Sequence, residues 1–183
     1  MNDQIRIETP LFVDLDGTII TGDTLVISLK EIARRRPWEL IPLAFAVRRG
    51  RAAFKEAVAR RITLDPAELP YREDVLEYLA SEKARGRTLI LATAAHRSIG
   101  EPVARHLGIF DDVMASDARH NLKGRGKLDA ILKRVGNGPF DYAGDSRADI
   151  PLFEKARESI LVSPSPSLRS RITAGCRVGR IFD

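Results

Sequence analysis

The chain has 183 residues, 44% of them hydrophobic and 30% charged, with 30 Lys and Arg against 25 Asp and Glu for a formal net charge of +5. That balance is enough apolar material to bury a core, and it excludes a disordered or fibrous chain. A single cysteine, Cys176, excludes an internal disulfide and a four-thiolate zinc site, so a reducing, cytoplasmic setting is expected. The length predicts one domain, or one domain carrying a small insertion. MNDQIRIETP has neither a basic start followed by an apolar block nor a small-residue cleavage site, so no export signal is expected. The longest uncharged apolar stretch, Leu40 to Val47, is broken by Pro42 and falls far short of the roughly 20 residues a spanning helix needs.

The charge is unevenly placed. Between Lys30 and Arg61 stand ten Lys and Arg against Glu31, Glu39 and Glu56, a net +7 that leaves −2 for the other 151 residues. A general nucleic-acid binder would spread its basic residues over the chain, so no nucleic-acid partner is expected. The local excess instead suits either a solvated helical segment or contact with an anionic surface.

In chain order, LFVDLD (11–16) reads as a buried strand ending in carboxylates. Leu25, Leu29, Ile32 and Ala33 share one helical face up to Pro37; residues 38–48 predict a second helix, and Ala53, Phe54, Ala57 and Val58 a third. Asp65-Pro66 opens a turn of helix, and residues 72–85 form a longer one stopped by Gly86. From there strands and helices alternate. Strands are expected at 88–93, 112–116, 140–145, 159–163 and 176–182. Helices are expected from a Ser98/Glu101 capping box to Gly108, and at 127–135, 149–157 and 167–174. This alternation predicts an α/β fold: a Rossmann-like parallel sheet with helices on both faces. A small helical insertion follows the first strand, giving a core of residues 1–20 and 71–183 and a cap of residues 21–70.

Ligands of open parallel sheets bind beyond the carboxyl ends of the strands. There the sequence places DLDGT (14–18), Thr93, the lysines of NLKGRGK (121–127) and GDSRAD (144–149). Asp14 and Asp16, two residues apart, leave the strand on one side. Their repulsion calls for a hard cation such as Mg²⁺, with Asp145 from another strand as a third anionic ligand. A lysine, a threonine hydroxyl and free backbone N–H groups around such an ion suit a phosphoryl group, whose charge is spread over several oxygens.

FVDLDGT, LILATAA, the lysine of NLKGRGK and YAGDSRAD, in that order, resemble the four motifs of the haloacid dehalogenase superfamily. Within it, RRRPWEL, RRGRAAFK, LDPAELPY, NLKG and GDSRADIP resemble the phosphatase-like domain fused ahead of UbiA-type prenyltransferases. No membrane segment follows RVGRIFD, so the expectation is a domain that stands alone or is a piece of a fusion. The resemblance implies a Mg²⁺-dependent phosphomonoester hydrolase acting on a small phosphorylated substrate, with Asp14 as the nucleophile that forms an aspartyl-phosphate. It implies Asp16 as the acid and base, Thr93 as a phosphoryl ligand, and Lys127 as the neutralising cation, with Lys123 the alternative. It further implies Mg²⁺ held by Asp14, the Asp16 carbonyl and Asp145, with Asp149 in or near the next layer. Two other activities fit the same motifs: a phosphotransferase or mutase, and an idle module docked on a membrane prenyltransferase. The basic cap would then contact anionic membrane or that enzyme.

Overall fold

The computed structural model describes residues 9–117, 120–136 and 138–183, apart from the side chains of Arg51 and Ala52. Residues 1–8, on which the export-signal reading mainly rests, and the Arg51 side chain of the basic segment lie outside the described residues.

Six strands, β1 (Leu11–Val13), β2 (Leu89–His96), β3 (Asp112–Ser116), β4 (Asp141–Gly144), β5 (Glu158–Val162) and β6 (Val178–Phe182), form one sheet in the order β3-β2-β1-β4-β5-β6. Every pairing is parallel, as the alternation predicts, and β1 pairs with β2 through Leu11↔Leu89 and with β4 through Leu11↔Asp141. The connections run outward in both directions from β1. The gap between the ends of β1 and β4 is therefore the switch point at which such sheets bind ligands.

Strand residues alternate between faces, so each strand feeds two cores. Leu11, Val13, Leu89 and Leu91 pack with Val75 and Leu79 of α4 (Glu73–Ala84) and with Ile99 and Val103 of α5 (Arg97–Leu107). On the other face Phe12, Ile90 and Tyr142 meet Ile131 of α6, Leu152 and Phe153 of α7, and Ile172 of α8. These helices span Arg125–Val135, Ile150–Phe153 and Pro166–Gly175. The sheet is thus covered on both sides.

Between β1 and α4 lie α1 (Thr24–Arg35), α2 (Leu40–Val47) and α3 (Arg51–Ala59). They bury Ile32, Leu43 and Val58 in a small cluster of their own, ringed by Leu25, Leu29, Leu40 and Phe54. Asp23 caps α1, its Oδ1 accepting from Leu25 N at 2.8 Å and Val26 N at 3.3 Å. Lys55 of α3 donates to the Ala94 carbonyl at 2.7 Å and ties this segment to the end of β2. No helix among the described residues is long and apolar enough to cross a membrane.

Three local readings change. The first strand ends at Val13, because Leu15 O turns back to accept from Ile19 N and Ile20 N, both at 3.0 Å. The cap of α5 is His96, whose Nδ1 accepts from Ser98 N at 3.2 Å, while Glu101 pairs with Arg97 at 3.6 Å instead of closing a box with Ser98. The expected helix at 149–157 contracts to a 3₁₀ turn, Arg147–Asp149, followed by α7. Arg157 N bonds the Phe140 carbonyl at 2.8 Å, which draws the chain into β5.

At the amino end of the sheet, away from the switch point, Arg87 is only 3% exposed. It donates to Glu82 at 2.7 Å, to the Thr9 carbonyl at 3.2 Å and to Asp141, which also accepts from Arg157 at 3.0 Å.

Candidate active site

The fold gathers the polar residues of three motifs at the switch point. Asp14 follows β1 directly and continues its ladder, with Asp14 N donating to Ala143 O at 2.9 Å. Asp145 follows β4. The approach is so tight that a Cβ on Gly17, which sits at φ +75°, would lie 2.1 Å from Asp145 Oδ2, so only glycine serves there. Lys127, in the first turn of α6, is 1% exposed and forms an ion pair with Asp14 Oδ2 at 2.9 Å. Lys127, not Lys123, makes this pair; Lys123 lines the cavity from an exposed loop.

Asp149 is buried inside this network and not merely a helix-start acid. Its Oδ1 lies 3.6 Å from Lys127 Nζ and accepts from Tyr142 O–H at 3.0 Å, and its Oδ2 accepts from Ser146 Oγ at 3.0 Å. Tyr142 in turn accepts from Lys127 Nζ at 2.9 Å. Sequence reasoning assigned no role to Tyr142 or Ser146. The available signal was the alternation of FDYAGD, which turns Tyr142 to the α6 face while Gly144 and Asp145 reach the strand end. Lys55 and Asp23 line the same cavity and were also missed. In the sequence Lys55 was one basic residue among ten.

Carboxylate oxygens of Asp14, Asp145 and Asp149 all lie within 4.8 Å of one another. Burial raises the Asp14 pKa to about 7, with Lys127 opposing and Asp149 reinforcing the shift. Burial, aided by Asp149, raises Asp145 to about 6. Such a set, all oxygen and mutually repulsive, fits a hard divalent cation of the Mg²⁺ type, which would relieve the repulsion. For Lys127, burial works against the charge, but Asp14 and Asp149 outweigh it and the pKa is raised.

Asp16 faces the same cavity, and its Oδ1 accepts from Thr24 N at 2.7 Å. Burial raises its pKa against that hydrogen bond. Thr93 is fully buried; Ala94, not Thr93, lines the cavity, and Thr93 Oγ1 accepts from Ala95 N at 2.9 Å. The structure thus brings Asp14, Asp16, Lys127 and Asp145 to one cavity of about 340 Å³ and leaves Thr93 just beneath it. A second cavity of about 310 Å³ shares Asp23, Lys55 and Lys123 with the first and is walled by Leu25, Val47 and Phe54.

The chain belongs to the haloacid dehalogenase-like hydrolase family, whose model matches residues 11–154. It is 38% identical over 163 residues to "Uncharacterized protein y4nM" of Sinorhizobium fredii (strain NBRC 101917 / NGR234), covering 89% of this chain and 31% of that relative. The chain therefore spans about a third of that relative's length. Among solved structures, a Bordetella pertussis Tohama I protein of unknown function has a TM-score of 0.73 at 21% identity, covering 96% of this chain and 98% of that one. A phosphoserine phosphatase described as a phospho-aspartyl intermediate analogue has a TM-score of 0.60 at 17% identity, with coverages of 95% and 92%. These structures share the fold.

Proposed function

We propose that the chain is a phosphomonoester hydrolase working through an aspartyl-phosphate on Asp14. The observation that carries this reading is the buried pair of Asp14 and Lys127 at the switch point, 2.9 Å apart, with Asp16 two residues on and lining the same cavity. Family membership and the phosphatase neighbour support it. Residues 21–70 act as a cap over the site, with Lys55 fastening it to β2.

An Asp14 carboxylate oxygen attacks phosphorus, and the bond from phosphorus to the ester oxygen breaks as Asp16 gives that oxygen its proton. The alcohol departs, leaving phosphate as an acyl phosphate on Asp14. Asp16, now a carboxylate, takes a proton from water as the water oxygen attacks phosphorus, which restores both residues and frees phosphate. Lys127 offsets the charge of Asp14 and the phosphoryl oxygens. Thr93, with its oxygen committed to Ala95 N–H, keeps its own proton to donate to a phosphoryl oxygen. Mg²⁺, held by Asp14, Asp145 and the Asp16 carbonyl, would supply further positive charge beside the transferring group. The leaving alcohol occupies the Leu25, Val47 and Phe54 cavity.

Released phosphate from nitrophenyl phosphate and from an alkyl phosphate, with Mg²⁺, tests the scheme. Asp14→Asn is expected to lower turnover at least about 10³-fold. Asp16→Asn is expected to slow the alkyl ester by about 10²–10³-fold and the nitrophenyl ester far less, because nitrophenolate leaves without a proton. Equal slowing of both esters removes Asp16 as the acid. Transfer to an added alcohol faster than to water identifies a phosphotransferase instead.

A further inference from the structure

The described surface carries five exposed large hydrophobic residues, and four of them, Trp38 (65%), Ile41 (67%), Phe45 (62%) and Val47 (56%), fall within ten residues of one another. Trp38, Ile41 and Phe45 recur at spacings of three and four, the spacing of one helical face. Leu43, on the opposite side, is 2% exposed and anchors α2 to the Ile32 and Val58 cluster. The segment is therefore held by one face while the other presents apolar side chains to water. Leu40–Val47 contains no charged residue.

Cations frame this face at both ends. Arg34 and Arg35 precede it and share the single carboxylate of Glu31. Arg36 precedes it too, Arg48 and Arg49 follow it, and all three are exposed with no carboxylate partner among the described residues. An apolar strip with a tryptophan and arginines at its margins matches a lipid interface, where the strip enters the acyl boundary and the arginines meet anionic headgroups. A neutral protein groove would satisfy the strip but leave the arginines unmatched.

We infer that the exposed face of Trp38, Ile41 and Phe45, with Arg36, Arg48 and Arg49, is a docking surface for an anionic lipid bilayer. This is peripheral attachment: α2 is far too short to span, and the strip is to lie in the plane of the headgroups.

The chain supplies its own probe, because Trp38 is its only tryptophan. The whole chain is mixed with vesicles of phosphatidylcholine containing phosphatidylserine, and with vesicles of phosphatidylcholine alone. Expected are co-sedimentation and a blue shift of Trp38 emission with the anionic vesicles, both reversed by high salt and both weak with the neutral vesicles. Ile41→Ser with Phe45→Ser, at exposed positions that leave the Leu43 anchor intact, is expected to abolish the shift. Arg48→Gln with Arg49→Gln is expected to lower partitioning about fivefold per arginine. Unchanged Trp38 emission together with no sedimentation at low salt overturns the proposal. So does a lipid-free dimer that the Ile41→Ser, Phe45→Ser variant dissolves, which gives the face to a second copy. None of these readouts involves phosphate release, so they stand or fall apart from the proposed hydrolysis.

Discussion

Tyr142 holds Lys127 and Asp149 on one phenolic oxygen, accepting from the ammonium at 2.9 Å and donating to the carboxylate at 3.0 Å. Its own pKa is pushed well above the ordinary value, by burial first and then by the Asp149 and Asp14 charges, so it stays a neutral donor. In the proposed mechanism it is a positioning residue, acting on Asp14 through Lys127. Tyr142→Phe removes both bonds and leaves two buried charges each short of a partner. The expected cost is about 1–3 kcal/mol of stability, measured by urea unfolding. A loosened Lys127 also supports the Asp14 carboxylate less well, so the acid limb of the kcat/KM profile is expected to move to higher pH. A profile that does not move, with only stability lost, reduces Tyr142 to packing.

The same residues show what was legible in the sequence. That Asp14, Asp16 and Asp145 would meet was legible because strand ends are marked by local runs, and a parallel sheet brings the carboxyl ends of its strands to one edge, where all three line one cavity. Lys127 was favoured by its motif but parted from Lys123 only by the ion pair with Asp14, which depends on where α6 begins. Tyr142 hid in plain composition, and Asp149, expected only in or near the layer next to the metal, gave no sign of its bonds to Tyr142 and Ser146. Their roles arise from contacts between β4, α6 and the turn after β4, distances that no spacing along the chain encodes.

Elements were legible in kind and order more than in extent. The parallel sheet followed from the regular alternation of strands and helices, and its two covered faces follow from residues such as Leu11 and Phe12 facing opposite ways. What the pattern missed were ends decided by tertiary bonds, such as the Phe140 carbonyl that draws the chain from α7 into β5. The amino end of the sheet is fastened by another bond set of that kind. Arg87 binds Glu82, Asp141 and the Thr9 carbonyl there, so it joins the turn after α4 to β4 and to the segment entering β1. Removing it leaves the buried Glu82 and Asp141 with only Arg85 and Arg157 as counter-charges, and takes away the buried cation between them. Arg87→Met is therefore expected to cost about 3–5 kcal/mol of unfolding free energy. Because the switch point lies at the opposite strand ends, KM measured on the folded fraction should stay within about twofold. A large KM change would show that the two ends are coupled.

For the whole molecule, the clustered carboxylates link stability to pH and to metal. Asp14 and Asp145 have folded pKa values near 7 and 6, above the ordinary 3.8. In the metal-free chain each protonated group favours the folded state, fully so below about pH 3.8, and that contribution is lost as pH rises through 6 and 7. Between pH 5 and pH 8 this contribution to the melting temperature of the metal-free chain is therefore expected to decline. A divalent cation needs the ionised carboxylates, so added Mg²⁺ should raise the melting temperature more at pH 8 than at pH 5. Calorimetry with and without EDTA reads both trends. An equal Mg²⁺ effect at the two pH values would place the ion elsewhere.

The position of β1 carries a consequence for how the molecule is made. Its three residues lie near the start of the chain, yet they sit mid-sheet and pair with β2 at Leu89 and with β4 at Asp141. Closing those long loops costs entropy before any pairing rewards it, so assembly around β1 is a slow and late event. Asp14, just past β1, is made well before β2 and β4, and its surroundings exist only once both of those strands have followed. A nascent chain arrested before β4 leaves the ladder edge of β1 unpaired, a template for mispairing. Pulse proteolysis of chains arrested at successive lengths should show protection of the Asp14 region arriving abruptly, only once β4 has cleared the exit tunnel.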